Sequence, residues 1–288
     1  VLHLSDIHLT ANGMDEDGVD ARSSLRRILS DARHVPKIDV VVVSGDIADG
    51  GSAAGYAEAA ELVGGFASKR AIPYVFCTGN HDDRHNFTAV LGSGHRSANG
   101  TDVGVAMCKT GRRAAVSDVN GLRVITLDSL EPGAVHGRIT DDQLAWLRSV
   151  LAEPAAAGSV IALHHPPISL HDHPMRTVVL QNPDQLAQTL AGRDVHAVLC
   201  GHLHHQMSGT LGDIPVWVTP GVVTRIDLTS PPGLVRGVLG ASASVVDVGG
   251  GPATFHLLHA RDPHAGTQVY LYDMASGTDL TSEDQPVA

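Results

Sequence analysis

The chain has 288 residues, enough for one large α/β domain with an appendage or for two modest domains. Hydrophobic residues make up 43% and charged residues only 18%, so a sizeable core can form, yet no apolar run approaches the roughly 20 residues of a membrane span. With 20 basic and 31 acidic residues the net charge is −11, which repels the backbone of long nucleic acids and means that a phosphate-bearing ligand would need a local cation.

In chain order, Leu2-His3-Leu4 opens as a short strand. Leu25, Ile28, Leu29 and Ala32 follow helical spacing, and the valines at 40–43 form the next strand. Tyr56, Ala60, Val63 and Ala67 mark a second helix before a strand over 73–76. A hairpin is predicted from strands at 114–119 and 123–127, turning at Asn120-Gly121. Thr140 and Gln143 make a capping box for a helix carrying Leu144, Leu147 and Leu151. Strands at 160–163 and 197–199 flank a helix that Asn182 caps and Pro183 opens, leading to Leu186 and Leu190. Near-continuous apolar runs suit strands buried on both faces, and their alternation with helices argues for a layered α/β domain.

After about Val222 the texture changes. Pro231-Pro232-Gly233, Ala241-Ser242-Ala243-Ser244 and Gly249-Gly250-Gly251-Pro252 interrupt short β-like pieces at 253–258 and 268–272. The expected division is a main domain over 1–222 and a β-rich extension over 223–288, with a frayed polar tail at 277–288. Asp15-Glu16-Asp17 reads as a solvated loop. Cys77, Cys108 and Cys200 show no C-x-x-C spacing and read as buried free thiols, which fits a reducing cytoplasm.

The informative pattern is where metal-capable residues fall. Asp6 and His8 follow the first apolar run and Gly45-Asp46-Ile47-Ala48-Asp49 the second. Gly79-Asn80-His81-Asp82, His164-His165-Pro166-Pro167 and Gly201-His202-Leu203-His204 follow three later ones. Open α/β sheets bind ligands beyond the carboxyl ends of their strands, so these pieces should meet. Carboxylate and imidazole donors without thiolates suit Mn, Fe or Zn at a catalytic site better than structural zinc. Two ions about 3.5–4 Å apart need a ligand that reaches both, and the two oxygens of Asp46 can do so. The glycines before Asp46, Asn80 and His202 are expected to turn the backbone sharply.

The whole set resembles the calcineurin-like metallophosphoesterase superfamily over about residues 1–220. Its NHDD, HHPP and GHLH pieces, with His136-Gly137-Arg138-Ile139 leading into Gln143-Leu144-Ala145-Trp146-Leu147, are similar to bacterial class III cyclic-nucleotide phosphodiesterases and their glycerophosphodiesterase relatives. The resemblance implies a four-layer αββα sandwich of two mixed β-sheets flanked by helices. It implies a first metal on Asp6, His8, Asp46 and His204 and a second on Asp46, Asn80, His164 and His202. His81 would be the catalytic residue, steadying charge on the phosphate and protonating the leaving alkoxide.

The implied activity is hydrolysis of small phosphodiesters, 3′,5′-cyclic nucleotides such as cAMP foremost. Glycerophosphodiesters or 2′,3′-cyclic phosphates are the alternative, and an inactive scaffold that binds a protein partner is a remote one, which the complete ligand set opposes. Protein phosphatases of the superfamily carry Arg-Gly after their second Asp and Glu after Asn-His; here Asp49-Gly50-Gly51 and Asp82 stand there. The expected protein is a cytoplasmic homodimer without a polymeric nucleic acid or membrane partner, its extension covering the site or forming the dimer contact.

Blander roles fall to the neighbours. His164 and His165 point to opposite faces of a strand, so one reaches the metals; the family pattern favours His164 and leaves His165 to the core or to support. Asp49 reads as a turn or supporting residue, and Asp82 and Asp83 as helix-start groups or partners that orient a ligating imidazole. On the loop after HHPP, His171 and His173 are candidates for substrate contact, with a solvated loop as the alternative. Trp146 reads as a packing residue.

Overall fold

The valine run explains how the layers arise. Val41 and Val43 pack against one hydrophobic cluster while Val40 and Val42 pack against another, as strand alternation requires. All four are fully buried, and each such side chain contributes roughly 1.5–3 kcal/mol of hydrophobic stabilisation. The computed structural model describes residues 1–11, 13–15, 17–107, 111–169 and 173–281. Glu16, Cys108, Asp172 and His171, with its expected substrate contact, lie outside the described residues.

Strands β1 (Leu2–Leu4), β2 (Val41–Ser44), β3 (Tyr74–Cys77) and β4 (His95–Arg96) alternate with helices α1 (Ala21–Ala32), α2 (Ala53–Ser68) and α3 (Arg84–Leu91). Then follow β5 (Val105–Ala106), β6 (Ala115–Val119), β7 (Leu122–Thr126), α4 (Asp141–Val150), β8 (Ser159–Ala162), α5 (Pro183–Leu190), β9 (Val195–Cys200), β10 (Met207–Leu211) and β11 (Ile214–Val218). The chain ends in β12 (Arg225–Asp227), β13 (Leu234–Val238), β14 (Ser242–Asp247), β15 (Thr254–His259), β16 (Gln268–Asp273) and β17 (Thr278–Asp279).

A six-stranded sheet runs β15-β14-β1-β2-β3-β4 and a seven-stranded sheet runs β10-β11-β9-β8-β7-β6-β5. Both are mixed: β1, β2 and β3 pair in parallel, as do β7, β8, β9 and β11, with antiparallel strands at the flanks. Between the sheets lie Val40, Val42, Val75, Val160, Leu199 and Trp217. The indole of Trp217 stacks on Phe255 at 5.0 Å and donates to Ser244 Oγ at 2.7 Å. The outer face of the first sheet is covered by α1, α2 and α3 through Leu25, Ile28, Tyr56, Val63 and Phe87, and that of the second by α4 and α5 through Leu144, Leu147, Leu186 and Leu190. These are the four layers of an αββα sandwich. At one edge His95 of β4 joins the sheets by hydrogen bonding Ser117 at 2.7 Å and Thr126 at 2.9 Å.

Asn120 and Gly121 adopt φ of 55° and 88°, the left-handed pair that a tight hairpin needs. Several local expectations need correcting. Residues 241–244 do not interrupt the β pattern, because Ser242, Ala243 and Ser244 open β14, which pairs antiparallel with β1. The buried serines are tolerated there because Ser242 Oγ meets His259 Nδ1 at 2.8 Å and Ser244 Oγ meets Thr219 Oγ1 at 2.9 Å.

Asn182 stands at the start of α5 but makes no side-chain cap, since its amide is engaged by both backbone groups of Ile139. Thr140 caps α4 as expected, whereas the side chain of Gln143 turns away to clasp the backbone of Asp128. Thr278 and Asp279 are not frayed; they pair with Asp273 and Tyr272. Among the described residues, no helix is long and apolar enough to cross a membrane.

Candidate metal centre

Each metal-capable piece leaves the carboxyl end of its strand and turns inward at once. The turning falls on the polar residues themselves: φ is 55° at Asp6, 51° at His8, 47° at Asp46, 73° at His202 and 50° at His204. A left-handed non-glycine residue costs about 1–2 kcal/mol, so the surrounding bonds must hold it in place. They do. Asp6 N donates to Gly45 O at 3.1 Å, His8 N to Asp46 O at 3.0 Å, and Val223 N to Asp6 O at 3.0 Å.

The glycine expectation is therefore only partly right. Gly45 has φ of 98°, but Gly79 and Gly201 are required for space, since a Cβ would strike the Asp46 carboxylate at one and Ser5 at the other. Asp82 pins two of the loops together, its carboxylate accepting from Gly79 N at 2.8 Å and from Ile47 N and Ala48 N at 3.1 Å. That corrects the imidazole-orienting role considered for Asp82; Asp83 caps α3 as a helix-start group.

The side chains converge. His164 Nε2 lies 3.0 Å from Asp46 Oδ2 and 3.1 Å from Asn80 Oδ1. His8 Nε2 is 3.7 Å from Asp46 Oδ2, and His204 Nε2 is 3.4 Å from Asp6 Oδ1. Donor atoms of Asp6, His8 and His204, and separately of Asp6, Asp46 and His164, lie within 4.8 Å of one another. The opposite nitrogen of most of these rings is already tied. His164 Nδ1 meets Ser44 O at 2.8 Å, His202 Nε2 meets Val178 O at 2.9 Å, and His204 Nδ1 meets Thr224 Oγ1 at 2.9 Å. Such bonds fix the ring and aim its remaining nitrogen, the arrangement usual for metal-binding histidines.

The donor set fits two cations. Asp6 and Asp46 are both buried, and His8 Nε2 is buried without a hydrogen-bond partner. A buried ring nitrogen without a hydrogen-bond partner is costly, and a cation held between it and the nearby carboxylate would satisfy both. Burial works against charge on Asp46, yet His164 outweighs it and holds the carboxyl well below the ordinary range. Burial likewise opposes charge on His164, and Asp46 followed by Asp6 outweighs it, raising the ring to about 9. Closeness alone would also group His165 with His164 and His202. Its Nδ1 meets Ser129 Oγ at 2.7 Å and its Nε2 meets Val135 O at 3.1 Å, so both of its ring nitrogens are already engaged.

His81 sits at the cavity floor, one third exposed, with its backbone N–H on Asp46 Oδ1 at 2.9 Å and its Nδ1 on Asp49 Oδ1 at 2.8 Å. Asp49 also stands 3.7 Å from His8 Nδ1. The imidazoles of His8 and then His81 beside it hold its carboxyl well below the ordinary range. His173 caps the short turn Pro174–Thr177 through Nδ1 and faces His205; Met175 and Val178, its neighbours, line the cavity instead. Sequence reasoning did not find Thr224 behind His204, which lies twenty positions on with no motif, nor the Tyr270 and Tyr272 that wall a cavity of about 430 Å³.

Residues 1–206 match the family described as Calcineurin-like phosphoesterase. A protein of Rhodococcus erythropolis named "Probable cyclic nucleotide phosphodiesterase" is 40% identical over 242 residues, 84% of this chain and 76% of the relative. The Mycobacterium tuberculosis "cAMP/cGMP dual specificity phosphodiesterase MT0825" is 36% identical over 266 residues, 87% of this chain and 80% of its own. Among solved structures, the purple acid phosphatase PPD1 of yellow lupin superposes with a TM-score of 0.51 at 13% identity. That alignment covers 97% of this chain, which spans about half (52%) of the lupin protein, and it speaks to the fold alone.

Proposed function

The chain belongs to the calcineurin-like phosphoesterase family, and from that premise we propose that it hydrolyses 3′,5′-cyclic nucleotides such as cAMP to nucleoside monophosphates. The centre we propose holds one metal on Asp6, His8, Asp46 and His204 and another on Asp46, Asn80, His164 and His202. The observation that carries the reading is the position of Asp46 between His8 and His164, the second with its ring fixed from behind by Ser44 O. Oxygen and imidazole donors suit Mn, Fe or Zn. The relatives named as cyclic-nucleotide phosphodiesterases support the substrate class.

When bound, two such ions activate water and neutralise charge on the phosphoryl oxygens. The chain's own residues do the rest. Asp49 holds the His81 ring through Nδ1, so the other nitrogen is the one that can carry a proton to the leaving ribose 3′-oxygen. The hydrogen bond that the His81 backbone N–H donates to Asp46 Oδ1 anchors the residue beside that carboxylate. Val135, Met175 and Val178 line the cavity with apolar surface and limit water around the reacting group.

Steady-state comparison of 3′,5′-cAMP, 2′,3′-cAMP and a glycerophosphodiester on metal-reconstituted protein tests the reading. The expected result is the highest kcat/KM for 3′,5′-cAMP, abolished by a chelator and restored by metal. A higher kcat/KM for the glycerophosphodiester overturns the substrate assignment. We also read the protein as a cytoplasmic homodimer, a state that the exposed Val103 and Val105 around edge strand β5 would suit. A monomer mass by light scattering at micromolar concentration would remove the dimer.

A further inference from the structure

Metal chemistry does not call for the four-stranded sheet β12-β13-β16-β17, yet one of its faces walls the cavity above the centre. The register makes that face a continuous surface. Tyr272 stands opposite Val235 on one side and Asp279 on the other. Tyr270 stands opposite Gly237, which in turn faces Ile226. Tyr270 and Tyr272 are two apart in β16 and so share a side, and Met274 continues the same surface. At Gly237 a Cβ would run into the Tyr270 ring, so the glycine lets that ring lie across its strand.

Across the cavity stand Val135, Met175 and Val178, the last also the residue whose carbonyl holds His202. Tyr272 at 36% exposure, Met274 at 37% and Val135 at 57% are large apolar side chains left facing solvent around one opening. Apolar surface gathered at the mouth of a cavity is what a ligand covers. One end of the slot is the metal centre, through Asp46, Asn80 and His202. Asp17 and Asp279 add carboxylates to the lining, which disfavours a second anionic group in the part of the ligand remote from the phosphate.

We propose that this face, with Tyr272 at its centre and Met274 beside it, binds the neutral flat base of a nucleoside cyclic phosphate and sets the substrate preference of the site. The inference rests on the cyclic-nucleotide reading above and adds which residues select the substrate. A flat heterocycle between Tyr272 and the Val135 side gains stacking and apolar burial without a charged partner.

The test compares 3′,5′-cAMP with the base-free analogue 1-deoxyribose 3′,5′-cyclic phosphate on the metal-reconstituted full chain. Wild type, Tyr272→Ala, Tyr272→Phe and Met274→Ala are assayed, with bound metal measured on each. In Tyr272→Ala the ratio of kcat/KM for cAMP to that for the analogue should fall by about five-fold or more, mostly through KM for cAMP, at wild-type metal content. Tyr272→Phe should keep the wild-type ratio, and Met274→Ala should lower it by a smaller factor. An unchanged ratio in Tyr272→Ala overturns this inference while leaving the cyclic-nucleotide reading intact. A wild-type protein that leaves cAMP untouched but cleaves a glycerophosphodiester overturns both.

Discussion

The two walls of the active cavity are built on different physical terms. On the metal side, five residues hold left-handed backbone conformations, the carboxylates are buried, and the rings of His164, His202 and His204 are fixed through their outer nitrogens. On the opposite side, a small antiparallel sheet and its edge offer tyrosine, methionine and valine side chains, of which Tyr272 and Met274 face solvent. A reacting phosphate needs donors placed within tenths of an ångström, whereas a base resting on an apolar surface tolerates more. Damage to the first wall should therefore appear in kcat and metal content, and damage to the second in KM.

The largest effect should come from Asp46, the residue proposed to serve both metals. Asp46→Asn should lose bound metal, as measured by elemental analysis, and more than about 10³-fold in kcat; full metal content with normal turnover would break the comparison at its centre. His81→Ala should keep its metals and lose about 10²–10⁴-fold in kcat. Retention of wild-type kcat in that variant would remove His81 as the proton carrier. Asp49→Ala, which releases both His8 and His81, should lose about 10–100-fold, with a partial drop in metal affinity.

The smallest effect concerns the clasp between the sheets, which does not line the cavity. Burial lowers the pKa of His95 from 6.5 to about 3, so the folded ring is neutral where the unfolded ring takes a proton. Its contribution to stability is complete above pH 6.5 and is lost as the pH falls from there towards 3, by at most about 1.4 kcal/mol per pH unit. Urea midpoints of the metal-free protein at pH 7, 6 and 5 should fall more steeply for wild type than for His95→Asn. Parallel slopes would show that His95 does not titrate on unfolding.

The metal side was legible in sequence because chemistry restricts it to Asp, Asn and His, and because strand ends space those residues in a recognisable order. Strand alternation implied that only one of His164 and His165 faces the centre, the family pattern favoured His164, and Ser129 and Val135 engage both nitrogens of His165. The substrate side left no such mark. Tyr270 and Tyr272 read only as a β-like run, and their alignment with Gly237 and Val235 depends on a register between segments more than thirty positions apart. Ser242, Ala243 and Ser244 looked like a break because small polar residues are poor strand formers; the side-chain partners of the serines, Trp217, Thr219 and His259, lie well before or after them in the chain. Asn182 looked like a helix cap, and only the nearby Ile139 backbone turned it to another use.

Strand β14 carries a consequence for biosynthesis. β1 is laid between β2 and β14, so during synthesis β1 keeps one open edge until residue 247 has emerged. The Asp6 turn takes its bonds from Gly45, Val222 and Val223 before that, yet nascent chains must pass through a stage in which a sticky β edge awaits its late neighbour. A gene truncated after codon 222 would freeze the chain at that stage, and aggregates rather than a small folded enzyme are what it should yield.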